Sequence, residues 1–154
     1  MGLTIDIARL MMEELRAGGF ADMSLTRIDR KSWHASFEGT SPILVEWADN
    51  PGRLVLSATL GRPMSGQRMS VLETLLSYNL LWEETGGGRM AINGAEGEAV
   101  LIYDLHGENL SPAQLGTVIA NLNKLAEIWR DYVQHEALNA VPPTVSHEML
   151  HRRA

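Results

Sequence analysis

The chain has 154 residues, of which 45% are apolar and 21% charged, a composition typical of one folded globular domain. Its formal net charge of −6 argues against a nucleic-acid partner, because phosphates are bound by clustered basic side chains. The absence of cysteine excludes a disulfide framework, a thiol nucleophile and a thiolate metal site. Apolar runs are far shorter than the ~20 residues that span a bilayer, and residues 1–19 lack the features of a secretory signal, so we expect a cytoplasmic protein without a membrane partner.

An amphipathic helix is predicted over residues 5–17, after Thr4 as a candidate N-cap and before the stop signal at 18–19. Its apolar side chains form one stripe and a second line beside it, which is wider than packing on one surface requires. The stripe contains Leu3, Ile7, Leu10, Met11 and Leu15, and the second line contains Ile5, Ala8 and Met12.

Residues 24–60 change to a period of two, which predicts a three-stranded antiparallel meander. The turn at 49–52, Asp-Asn-Pro-Gly, marks the clearest hairpin. The basic residues Arg27, Arg30 and Lys31, interrupted by Asp29, are interpreted as a solvated turn. The strand side chains predicted to share a buried face are Trp33, Ala35, Phe37, Ile43, Val45, Trp47, Leu54, Leu56, Ala58 and Leu60.

A second helix is predicted over about residues 65–84, with apolar side chains on an arc of roughly 200°. A helix lying on one sheet needs about half that arc, so the excess predicts a second covering surface and hence a homodimer. The residues predicted to form the dimer interface are Leu72, Leu76, Tyr78, Leu80 and Trp82.

Residues 86–88 are glycines that end this helix, and a hairpin is predicted over 89–104. The last helix has the clearest start, with Ser111 as N-cap, Pro112 at the first position and Gln114 completing a capping box. Its single apolar stripe ends at Val133. Two prolines then stop the pattern, so we predict a folded domain over 1–135 and a flexible tail over 136–154.

One motif has the pattern of a zinc protease: His147-Glu148-Met149-Leu150-His151 matches H-E-x-x-H. It follows the proline pair, outside the predicted core that would exclude water and fix the ligand geometry, so we interpret it as a chance match. The sequence 86–89 follows a helix and precedes a strand, which is the wrong order for a phosphate loop. His34 and His106 are isolated. We therefore predict no enzymatic activity, no cofactor and no metal site.

Surplus apolar side chains remain on the first helix and the meander. Each could belong to the core, but together they are hard to bury in one domain, and exposed apolar patches mark protein partners. The candidate partner-binding residues are Ile5, Met12, Trp33, Phe37 and Leu44.

The order helix–three strands–helix–two strands–helix, at this length and acidity, resembles the class I chaperones of bacterial type III secretion, the Tir chaperone (CesT-like) family. The resemblance covers residues 5–133. It is densest at 43–60 (ILVEWADNPGRLVLSATL) and 75–105 (LLSYNLLWEETGGGRMAINGAEGEAVLIYDL). It implies a single α+β domain with helices packed on a twisted antiparallel sheet, a dimer interface on the second helix, and grooves on the first helix and meander.

The same resemblance implies a function in virulence: a cytoplasmic homodimer binds the N-terminal segment of a secreted effector and keeps it export-competent. It implies no cofactor and no ATP hydrolysis. The alternative is a regulatory or structural homodimer of the same fold that binds another protein but exports nothing. Both hypotheses require the same dimer, so the sequence does not separate them.

Overall fold

Three α-helices and six β-strands form the computed structural model, which describes residues 2–107 and 109–136. Helices and groups of strands follow one another along the chain as predicted, which confirms the α+β fold class. A 3₁₀ turn (Ser65–Gln67) precedes the second helix, and a π-helical turn (Tyr132–Glu136) follows the third. In chain order the elements are α1 (Ile5–Gly18), β1 (Met23–Arg27), β2 (Ser32–Phe37), β3 (Ile43–Ala48), β4 (Arg53–Gly61), α2 (Arg68–Leu80), β5 (Arg89–Ile92), β6 (Ala99–Leu105) and α3 (Pro112–Asp131).

The meander has four strands rather than the predicted three, because β1 pairs antiparallel with β2. Leu25 lies opposite Ala35 and is the one fully buried side chain of β1. With a single buried residue, β1 lacks the repeated alternation of apolar and polar residues by which a strand is recognised from sequence. The predicted tail falls almost entirely outside the described residues, as does the His147–His151 motif.

All six strands form one antiparallel sheet in the order β1-β2-β3-β4-β6-β5. Its buried face is continuous across the central strands: Val45 lies opposite Leu56, which lies opposite Tyr103. The opposite face, called the open face below, carries a row of partly or fully exposed side chains. This row runs from His34 through Leu44, Ser57 and Ile102 to Arg89.

Helix α3 packs on the buried face as its stripe predicts. The capping box is formed: the Ser111 hydroxyl accepts from the Gln114 N–H at 3.2 Å, and the Ser111 N–H donates to Gln114 Oε1 at 2.9 Å. Gly116 lets α1 approach, because a Cβ atom there would lie 2.9 Å from side-chain atoms of Leu15 and Phe20. The predicted stripe is buried throughout: Leu115, Val118, Ile119, Leu122, Leu125, Ala126, Trp129 and Val133.

Helix α2 is joined to α3 by an aromatic cluster. Trp129 makes edge-to-face contacts with Tyr78 and Tyr132, at centroid distances of 5.2 and 5.7 Å. The Tyr132 hydroxyl lies 2.9 Å from Thr74 Oγ1, again on α2. Such aromatic pairs contribute about 0.5–1.5 kcal/mol each beyond their buried area. The cluster therefore fixes which side of α2 faces the core.

The end of α2 differs from the prediction. The helix stops at Leu80 rather than near residue 84, because the chain turns at Leu81, whose carbonyl accepts from the Thr85 N–H at 2.9 Å. Thr85 Oγ1 then donates to the Gly88 carbonyl at 3.1 Å, which closes the turn. Trp82 consequently lies in this turn and not on the helix.

The Tyr78 hydroxyl provides a test of the cluster. It is buried without a hydrogen-bond partner among the described residues, and burial raises the pKa of Tyr78 to about 12. An unfolded tyrosine ionises near pH 10, so the free energy of unfolding falls as pH rises from 10 to 12, by about 2–3 kcal/mol from this group. Tyr78→Phe should remove that part of the pH dependence and change stability at pH 7 by less than about 1 kcal/mol.

Tyr132→Phe is the matched control, because it removes a hydroxyl that is bonded to Thr74 and should lower stability at pH 7 by about 0.5–1.5 kcal/mol. Burial also raises the pKa of Tyr103, so some alkaline destabilisation remains in both variants. Urea unfolding at neutral and alkaline pH measures these differences. An equal loss at pH 7 in the two variants would contradict the assignment of Tyr78.

Candidate docking surfaces

The outer side of α2 is the first candidate surface. Met69, Leu76 and Leu80 expose 73%, 70% and 79% of their side chains, and half-buried Leu72 lies between them. Their spacing places these four residues in one narrow row along the helix, called the outer α2 row below. Single exposed apolar residues are common in proteins, but a contiguous row of large ones indicates a surface that another protein covers.

The outer α2 row contains three of the five residues predicted for the dimer interface. Leu76 and Leu80 are strongly exposed, Leu72 is half-buried, and exposed Trp82 lies just beyond the end of the helix. Tyr78 is different: it packs on Trp129 in the core and offers no surface to a second copy. The wide apolar arc of α2 therefore divides into an inner side that faces α3 and β5 and an outer side that faces solvent.

The sheet has two edge strands, and the β5 edge is closed by a side chain. Asn79 Nδ2 donates to the Met90 carbonyl at 3.0 Å, and Asn79 Oδ1 accepts from the Met90 N–H at 2.7 Å. The amide thus bonds both outward-pointing backbone groups of Met90, as a residue of a neighbouring strand does. This contact protects an edge that could otherwise pair with another chain.

The β1 edge has free backbone groups. The Ile28 N–H donates to the Ser32 carbonyl at 3.0 Å, so alternation along the ladder turns the backbone groups of Thr26 toward β2 and those of Leu25 and Arg27 away from it. The Met23 N–H is already bonded to the Phe20 carbonyl at 2.9 Å. Within residues 2–107 and 109–136, no further strand pairs with this edge.

Helix α1 forms the wall beside this edge. The Arg9 guanidinium donates from Nε and Nη2 to the Arg30 carbonyl, at 3.1 and 2.9 Å, so the flank of α1 that carries Arg9 faces the β1–β2 turn. Ile5 lies one turn earlier on this flank and is half-buried. The surface between α1 and the C-terminal end of β1, which carries Ile5, Arg9 and Arg27, is called the α1–β1 groove below.

Only one of the five candidate partner-binding residues, Ile5, borders this groove. Met12 and Trp33 expose 1% and 3% of their surfaces, so both are core residues that present nothing to a partner in this conformation. Phe37 is partly buried against the core. Leu44 lies half-buried on the open face, between His34 and Ser57.

Sequence reasoning missed several residues at these surfaces, among them Leu25, Arg27 and Asn79. Leu25 and Arg27 were missed because β1 was not recognised as a strand. Asn79 was missed because its partner, Met90, lies on a separate element, although a polar residue between Tyr78 and Leu80 is a weak signal.

The described residues contain no group of three or more histidine, aspartate or glutamate side chains arranged to hold a metal ion. None of the helices in that part of the chain is long and apolar enough to cross a membrane. What the surfaces offer is apolar area on α2, free backbone groups on β1 and charged side chains beside them.

A comparison with protein families gives one match. The model of the Tir chaperone protein (CesT) family matches residues 28–130, about two thirds of the chain. The matched span includes β2 to β6, α2 and nearly all of α3, whereas α1 and β1 precede it. No curated protein and no solved structure matches the chain.

Asn79→Ala tests the closed edge. Removal of the amide leaves the Met90 N–H and carbonyl without their partners, so the free energy of unfolding should fall by about 1–3 kcal/mol. The freed edge should also increase self-association, which light scattering detects. Asn121→Ala on α3 is the matched control and should change stability by less than about 0.5 kcal/mol. Equal stability of the two variants would show that the Asn79 contact does not hold β5.

Proposed function

Because the chain belongs to the Tir chaperone protein (CesT) family, a family of non-catalytic type III secretion chaperones, we propose that it is a homodimer that binds the N-terminal segment of a secreted effector. The segment adds as a strand to β1 and is held in the cytoplasm in an export-competent state. The observation that carries this proposal is the difference between the two sheet edges: Asn79 closes β5, and β1 keeps free backbone groups.

Strand addition suits a substrate that is unfolded. The backbone of an extended segment supplies hydrogen bonds whatever its sequence, and alternate side chains supply specificity where they meet a groove. On the helical side of β1 those side chains would contact Ile5 and Arg9. A segment that orders on binding loses conformational entropy, so its affinity is spread over many weak contacts.

The outer α2 row supports the homodimer. In a twofold interface the same patch of each copy meets its counterpart, so α2 would pack against α2 of the second copy. Obligate interfaces bury on the order of 2,000 Å² and are rich in apolar residues, and the row with Trp82 supplies the apolar centre of such an interface. Dimerisation would leave the β1 edge of each copy free, because α2 packs beside β5, at the opposite end of the sheet from β1.

The dimer is tested by inserting charge into the row. Wild-type protein should have twice the 17.0 kDa mass of the chain in light scattering at micromolar concentration. Leu76→Glu and Leu80→Glu should be monomeric, because each would bury a carboxylate in an apolar interface. Leu10→Glu makes the same change at an exposed position of α1 and should remain dimeric. A monomeric wild type would contradict the homodimer.

Substrate binding is tested by calorimetry with short peptides tiled along the N-terminal regions of candidate effectors encoded near this gene. Ile5→Glu should weaken binding by about 1–3 kcal/mol, since it places a carboxylate in the α1–β1 groove. The fold should tolerate it because an acidic residue in the first turn of a helix is favourable. Ile7→Glu is the matched control, an equivalent change on another side of α1.

Three results would contradict the proposed binding mode: no tile binds, both variants bind as well as wild type, or both lose affinity equally. Circular dichroism of each variant excludes unfolding as the cause of weaker binding. Binding restricted to a fully folded partner would favour the regulatory homodimer instead.

A further inference from the structure

Four basic side chains meet where α1 approaches the β1–β2 turn: Arg9, Arg27, Arg30 and Lys31, called the basic corner below. Arg9 binds the Arg30 carbonyl, and Arg27 Nε donates to the Asp29 carbonyl at 2.8 Å. Lys31 belongs to the same turn, and its Nζ lies 5.5 Å from the centroid of the Trp47 ring on β3. The turn thus gathers four positive charges on a chain whose formal net charge is −6.

These charges are only partly neutralised by the carboxylates at the corner. Asp6 lies 3.4 Å from Arg9 Nη1. The Asp29 carboxylate accepts from the Lys31 backbone N–H at 2.7 Å, a bond that lowers the pKa of Asp29 and keeps it ionised. Two carboxylates against four cations leave an excess of two positive charges. Arg27, Arg30 and Lys31 form no ion pair with the described residues.

Elsewhere in the described chain three arginines form ion pairs, whereas Arg62, Arg68 and Arg130 form none. Arg16 pairs with Glu13 at 2.8 Å, and Arg53 and Arg89 share Asp104 at 3.6 and 3.0 Å. The basic corner differs in that three cations without an ion pair to the described residues, Arg27, Arg30 and Lys31, lie within one short stretch of the chain, beside Arg9. Its position is specific, because Arg27 is the last residue of β1 and Arg9 borders the α1–β1 groove.

We propose that the basic corner binds acidic residues that flank the segment added to β1. This inference rests on the proposed strand addition. It specifies that the residues next to the added strand in the substrate are acidic. Every strand pair of this sheet is antiparallel, so the added strand is taken as antiparallel to β1. Arg27 at the C-terminal end of β1 then lies next to the N-terminal end of the added strand. The acidic residues therefore precede the strand in the substrate sequence.

This arrangement would set the direction and register of the bound segment. Backbone hydrogen bonds along β1 discriminate little between registers, whereas opposite charges at one end favour the register that brings them together. The ion pairs are exposed, so each should contribute modestly and weaken as salt screens it.

The test uses the tile that binds tightest in calorimetry, synthesised in three versions. One has serines on both sides of the strand-forming part, one has two glutamates on its N-terminal side, and one has them on its C-terminal side. At low salt the N-terminal glutamates should tighten binding about tenfold relative to the serine peptide, and high salt should reduce this gain to about twofold. The C-terminal glutamates should have little effect.

The protein variant Arg30→Ser/Lys31→Ser removes two charges without removing the bonds made by Arg9 and Arg27 side chains, and it should abolish most of the glutamate preference. Arg62→Ser/Lys124→Ser removes the same charge from exposed positions elsewhere and should keep the preference. Equal binding of the N-terminal glutamate and serine peptides at low salt would overturn the proposal. So would tighter binding of the C-terminal glutamate peptide, or an equal loss of preference in the two variants.

The serine peptide separates this inference from the proposed function. Its binding at the β1 edge depends on strand addition and not on the basic corner. If the serine peptide binds and the glutamates add nothing, the basic corner is not a recognition site and strand addition stands. If no tile binds in the first place, strand addition itself is contradicted, whatever the role of the basic corner.

Discussion

The anchoring of α2 is the constraint on which the remaining surfaces depend. Trp129 on α3 holds Tyr78, and the backbone of Met90 on β5 holds Asn79, so two successive residues are fixed to different elements. With these contacts made, Leu76 and Leu80 on the other side of the helix face solvent. The same anchoring closes the β5 edge. One set of contacts thus turns the apolar row proposed for dimerisation toward solvent and leaves β1 as the edge proposed for a substrate.

The exposed apolar side chains lie in one region of the molecule, and the free backbone groups and positive charges lie in another. Apolar area is concentrated on α2, where a second copy can bury it permanently. Free backbone groups and positive charge are concentrated at α1 and β1, where the proposed substrate would be bound and later released. Exposed ion pairs and edge hydrogen bonds are individually weak, which suits a complex that has to come apart before export. The matched family span begins at residue 28, so most of this second region lies before it.

Local signals explain which parts of the fold could be predicted from the sequence. Ser111, Pro112 and Gln114 act on one helix start, and the structure forms the capping box they predict. The excess arc of α2 predicted a second covering surface, and the residues of its outer side, such as Leu76 and Leu80, are exposed. Helical period alone determines which residues share a side. Met12 and Trp33 were assigned to a surface because period shows which residues share a face but not whether another layer covers it. The pairing of Asn79 with Met90 joins two elements, so the sequence offers only the weak signal of a polar residue between Tyr78 and Leu80.

Amide hydrogen exchange followed by NMR, with and without a bound effector peptide, tests the central claim that β1 is the edge a substrate uses. The account predicts that exchange slows at Leu25 and Arg27, whose N–H groups point away from β2. Exchange at Thr26, which is bonded within the sheet, and at Met90, which is held by Asn79, should change little. Slower exchange on β5 with no change at Leu25 and Arg27 would show that the peptide binds elsewhere.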